Sequence, residues 1–152
     1  LMGSDFEYHN EPEKTEAVHL KPGVFTFGDV GYFDEDGYLY LSDRKIDMII
    51  SGGFNIYATD IELVVLEHPQ VHEVAVVALP SSEWGETPLA IVVLESGSSV
   101  SVEVLRSWAN DRLGKAQRIS VVVFTDELPK SSIGKVLKRE LREAYAHLGS
   151  GA

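Results

Sequence analysis

Residues 73–79, "EVAVVAL", decide the fold. The run is apolar and rich in β-branched valine, and it is shorter than a stable helix. It reads as a buried strand. Two more runs of the same kind follow, "LAIVVL" (89–94) and "ISVVVF" (119–124). Between them, "SVEVLRSWANDRLG" (101–114) reads as a helix opened by Ser101, with Leu105, Trp108, Ala109 and Leu113 on one face and Gly114 closing it. Upstream of the first strand, Thr59 can N-cap a helix, with Glu62 completing a capping box. Ile61, Val64, Val65 and His68 share its apolar face, and Pro69 ends it. A last helix is expected from about Gly134, with Leu137, Leu141, Tyr145 and Leu148 on one stripe. The expectation is an α+β unit, a small sheet packed with about three helices.

The first forty residues differ. "YHNEPEKTEAVHLKPG" (8–23) is polar and expected to be irregular or weakly helical. "GYFDEDGYLYLSDR" (31–44) has two aromatic-rich runs joined by Asp34-Glu35-Asp36-Gly37, the pattern of a β-hairpin with Gly37 at a positive φ. So short a segment buries little by itself and reads as the end of something larger. Residues 1–5, beginning "LMGS", read as a cloning scar; 6–45 and 46–152 read as separate parts.

Composition excludes several classes. With 13 basic and 24 acidic residues the net charge is −11, against a nucleic-acid face or a polybasic membrane anchor. There is no cysteine, hence no disulfide framework, thiol nucleophile or cysteine metal site. No apolar run reaches membrane-spanning length. His68 and His72 are interrupted by Pro69, so a metal site there is not expected. A soluble, cytoplasmic protein is the default expectation.

Four stretches carry more than packing. In "FTFGDVG" (25–31), Asp29 can accept two hydrogen bonds from a vicinal diol; read alone it is an aspartate in a turn. In "SDRKIDMIISGGFNIY" (42–57), Arg44 is a planar cation suited to sugar or phosphate oxygens. Gly52-Gly53 lets backbone approach a partner closely, and read alone is a hairpin turn. In "SSEWGETPLA" (81–90), Trp84 beside Gly85 is a stacking surface or a core anchor. In "LPKSSIGKVLKREL" (128–141), Lys135 is expected where a polar loop runs into a basic helix. A cation at a helix N-terminus opposes the helix dipole, which suggests an anion to meet.

In this order and spacing the stretches resemble the C-terminal part of adenylate-forming enzymes, the superfamily of acyl-CoA synthetases, luciferases and peptide-synthetase adenylation domains. "GDVGYFDEDGYLYLSDRKIDMIISGGFNIYATDIE" (28–62) resembles the acyl-CoA ligase version most. The resemblance implies a reaction in two halves. A carboxylate attacks the α-phosphate of Mg-ATP to give an acyl-adenylate, and the thiol of coenzyme A then gives the thioester and AMP. Asp29 matches the aspartate that binds the ribose hydroxyls, and Arg44 the arginine that assists it. Lys135 matches the lysine that bridges substrate carboxylate and phosphates during adenylation. Gly52 and Gly53 match the loop lining the thiol tunnel, with Trp84 near its surface.

The hinge position matches Ile46, where the family usually has Asp or Lys; a β-branched residue is stiffer there. Ala58 replaces a frequent proline, and "GKAQR" (114–118) lacks another, which puts nucleotide-side contacts of Lys115 and Arg118 in question. By the same resemblance, residues 6–45 are the tail of a large N-terminal domain and 46–152 the mobile C-terminal domain. The ATP-gripping loop, acyl pocket and magnesium-binding glutamate are expected on that large domain, and the chain alone is expected to be inert. A fatty or aromatic acid is the expected substrate. The alternatives are a non-catalytic binding module of the same fold, or an adenylation domain serving carrier-protein pantetheine.

Overall fold

The computed structural model describes residues 7–151; the scar read at residues 1–5 lies outside them. The chain divides between Ile46 and Asp47 into two compact units.

In the first unit, α1 (Pro12–Val18) starts on a proline, whose missing N–H costs nothing at a helix start. The segment expected to be irregular or weakly helical thus holds a seven-residue helix. β1 (His19–Lys21) pairs with β2 (Val24–Phe25), and β3 (Asp29–Phe33) with β4 (Leu39–Arg44). The β3–β4 hairpin turns as the sequence indicates. Asp34 Oδ1 accepts from the backbone N–H of Asp36 at 3.0 Å and Tyr38 at 2.8 Å, and Gly37 has φ +84°. None of residues 7–46 is buried, and Tyr32, Phe33, Tyr38, Leu39 and Leu41 are all exposed.

The second unit is a five-stranded sheet between helices. β5 (Ile49–Ser51) and β6 (Phe54–Ile56) form a hairpin, α2 (Ala58–Leu66) follows, then the long antiparallel pair β7 (Val71–Ser81) and β8 (Gly85–Leu94). α3 (Val102–Asn110) leads to β9 (Val121–Phe124), and α4 (Lys138–Tyr145) comes last. β7 lies along one edge of β8. On the other edge β5 meets the start of β8 at Gly85, and β9 runs parallel to it from Leu89 to Val92.

The apolar runs are continuous because both sheet faces are covered. Val76, Ala90 and Val92 face Ile61 and Val65 of α2 and Leu105 and Ala109 of α3. Their neighbours Ala75, Val77, Leu79, Leu89 and Ile91 pack with Leu128 and with Leu141 of α4. Each fully buried aliphatic side chain stabilises the unit by about 1.5–3 kcal/mol before the entropy cost.

Four local expectations are corrected. Thr59 does not cap α2: the N-cap is Tyr57, without a side-chain bond. Glu62 instead accepts the Val76 N–H at 2.7 Å. α3 does open at Ser101, whose Oγ accepts the Val104 N–H, but ends at Asn110; Gly114 caps the following 3-10 turn, Lys115–Gln117. α4 starts at Lys138, not near Gly134, because Gly134 at φ +80° breaks the chain direction there. The strand count is five rather than three, since β5 and β6 are three residues each and too short to show a period.

Candidate active site

In the first unit, strand register brings two of the expected residues together. Asp29 and Arg44 are cross-strand partners at the open end of the β3–β4 hairpin, with Arg44 Nε 3.6 Å from Asp29 Oδ1. Fifteen residues of sequence separate them, and a bulge between Val30 and Gly31 sets the register that pairs them. Below them the Lys45 N–H donates to the Gly28 carbonyl at 2.7 Å, and Gly28 has φ +76°. Both side chains are exposed and the pair is loose, so each keeps hydrogen-bonding capacity for a ligand. Ile46, the expected hinge, is the exposed last residue of this unit.

In the second unit Gly52 and Gly53 form the two-residue β5–β6 turn, at φ +55° and +84°, the left-handed region that favours glycine. The turn is tied to the β7–β8 loop: the Gly52 N–H donates to the Trp84 carbonyl at 2.9 Å, and the Trp84 N–H to Ser81 Oγ at 3.2 Å. The indole lies over Gly52, where a Cβ would sit 2.9 Å from Trp84 Cε3. Trp84 is 53% exposed, so it is a surface ring, not a core anchor. Gly52 and Trp84, with Phe54, Lys115, Ala116 and Arg118, line a cleft of about 430 Å³ that also takes in the Thr87–Ser120 hydroxyl pair; Gly53 is not part of its lining. An apolar ring, bare backbone and two cations at one cleft suit a slender ligand with an anionic end. Composition did not give Lys115 and Arg118 this place; the 3-10 turn does.

Lys135 is exposed and does not line that cleft. It lies in a tight turn closed by an antiparallel bridge between Lys130 and Val136, three residues before α4. Lys135 is thus outside the helix and, contrary to the expectation from sequence, does not sit at the N-terminus to oppose its dipole. The Ser131 N–H donates to the Lys135 carbonyl at 2.8 Å, and the Lys135 N–H to Ser131 Oγ at 3.2 Å. Among the described residues its ammonium has no hydrogen bond or ion pair. Among them, too, no group of three or more His, Asp or Glu side chains could hold a metal ion, and no helix is long and apolar enough to cross a membrane.

The chain belongs to the family of AMP-binding enzyme C-terminal domains, which matches residues 60–135. It is 43% identical over 135 residues to the 2-succinylbenzoate–CoA ligase of Geobacillus kaustophilus, covering 89% of this chain and 27% of that protein. It is also 43% identical to a long-chain-fatty-acid–CoA ligase of Bacillus subtilis, covering 90% of this chain and 24% of that one. Among solved structures, ATP-bound MatB from Rhodopseudomonas palustris superposes with a TM-score of 0.84 at 35% identity, over 93% of this chain and 28% of the other. The chain thus spans about a quarter of the length of the curated relatives it matches.

Proposed function

We propose that this chain is the C-terminal part of an ATP-dependent acid–thiol ligase, which forms an acyl-adenylate and then an acyl-CoA thioester from a fatty or aromatic carboxylic acid. The observation that carries the reading is Asp29 opposite Arg44 on a hairpin with no buried residue of its own. That arrangement supplies an acceptor and a donor for a ribose diol. The exposed aromatic strands around it suit the tail of a large N-terminal domain.

Lys135 supplies a mobile cation to the substrate carboxylate and phosphates as charge develops in adenylation. The cleft under Trp84 takes the thiol arm, with Gly52 leaving room along its wall, Gly53 completing the turn that carries Gly52, and Lys115 and Arg118 at the arm's anionic end. Ile46 is the hinge between the two arrangements. Mg2+, when bound with ATP, neutralises phosphate charge, and its ligands belong to the large domain.

Lys135→Ala tests the assignment in the intact enzyme. Acid-dependent pyrophosphate exchange should fall by about 10²-fold or more. Thioester formation from supplied acyl-adenylate should stay near wild type. Equal loss in both halves would remove Lys135 from the adenylation step. The 152-residue chain alone should show no exchange.

A further inference from the structure

Three lysines lie close in sequence, Lys130, Lys135 and Lys138, and the structure treats them differently. Lys130 Nζ is 2.6 Å from Glu73 Oε1. Lys138 Nζ is 2.7 Å from Glu62 Oε1, and both of these side chains are only 17% exposed. The Lys135 ammonium, between them, is unpaired among the described residues. Both glutamates are tied to β7: Glu73 belongs to it, and Glu62 accepts the Val76 N–H at 2.7 Å.

The turn between the two pairs is closed on itself. The Leu137 N–H donates to the Pro129 carbonyl at 2.8 Å, and the Gly134 N–H to the Ser131 carbonyl at 2.9 Å. Leu128 and Val136, at its two ends, pack into the core. What remains to be fixed is the turn's orientation on the sheet. One ion pair holds its upstream end to β7 directly, through Glu73, and one holds its downstream end to Glu62 of α2, whose carboxylate also accepts a β7 N–H.

We propose that Lys130, through Glu73, and Lys138, through Glu62, are positioning residues that clamp the Lys135 turn to β7, so that Lys135 is delivered by a rigid body and not by a flexible arm. The proposal rests on the adenylation reading of Lys135 and adds how that lysine is aimed. The Lys130–Glu73 pair is half-exposed, and pairs of that kind contribute little to stability. Its effect on rate can therefore be separated from any effect on folding. Misplacing a reacting group by about 1 Å costs up to ~10²-fold in rate.

The test uses the intact enzyme and the two half-reactions measured separately. Lys130→Ala and the near-isosteric Glu73→Gln should each slow pyrophosphate exchange by about 10-fold. In both, thioester formation from acyl-adenylate, the KM for ATP and the melting temperature should stay close to wild type. Lys130→Arg should retain the rate, and the charge swap Lys130→Glu with Glu73→Lys should recover most of it. Wild-type exchange in both Lys130→Ala and Glu73→Gln, with Lys135→Ala inactive, overturns the clamp and leaves the reading of Lys135 standing. A parallel fall of both half-reactions with a lowered melting temperature also overturns it, as the pair would then be merely structural. If Lys135→Ala itself exchanges normally, the adenylation reading is what fails.

Discussion

At Gly52 two demands meet in one residue: a backbone at φ +55° and an indole 2.9 Å from where a Cβ would be. Gly52→Ala therefore combines backbone strain, about 1 kcal/mol, with displacement of Trp84. Gly97, at φ +82° with nothing within 4 Å of its Cβ position, carries the strain without the contact. Gly97→Ala should lower stability comparably and leave both half-reactions intact. Gly52→Ala should slow thioester formation several-fold beyond any change in adenylation, with a shift in tryptophan emission. Identical kinetics for the two variants would dissociate the Trp84 cleft from the thiol. The pairing of Asp29 with Arg44 lies at this scale too and was not legible beforehand. Sequence named both residues, but only the bulged register puts one opposite the other.

Elements were legible where both flanks are covered. β7, β8 and β9 stand out as apolar runs because neither face meets water. The heptad-like spacing in α3 marked its buried face correctly, with Leu105 and Ala109 inside. What failed were boundaries decided by single tertiary bonds. Glu62 serves the edge of β7 instead of its own helix, and the Pro129–Leu137 bond delays α4.

The α3 cap gives a prediction at this scale. The Glu103 carboxyl is held below its ordinary pKa by its own backbone N–H and then by the Ser101 hydroxyl. A depressed carboxyl contributes stability above its unfolded value and loses it as pH falls through the folded one. Ser101→Ala should cost about 1 kcal/mol at neutral pH. The gap to wild type should narrow in urea melts as pH falls through the lowered pKa of the folded Glu103 carboxyl. A gap that is constant with pH would leave Glu103 out of the cap.

On the scale of the whole molecule, the unit boundary is set by anchors on either side of one residue. The Lys45 N–H is bonded to Gly28 within the first unit, and Asp47 Oδ1 meets Arg142 Nη1 of α4 at 2.9 Å within the second. Ile46 is flanked by residues that each belong firmly to one body, which suits a position that absorbs φ/ψ change. Fixing its φ with Ile46→Pro should uncouple the half-reactions. One should fall by about 10-fold or more, with the other held, as read by exchange and by single-turnover thioester formation. Equal slowing of both would move the hinge elsewhere. The family and the α+β architecture were legible from the 28–62 stretch and the apolar runs. The cleft under Trp84 was not, since it joins three loops far apart in sequence.

The order in which the sheet's two faces are covered has a consequence for biosynthesis. All five strands and the helices of one face precede residue 125, while the other face waits for Leu128 and for Leu141 of α4. At about 5–20 residues added per second, the emerging chain spends seconds with Ala75, Val77, Leu79, Leu89 and Ile91 wetted on one side. That interval is when a nascent-chain chaperone has most to gain from this polypeptide.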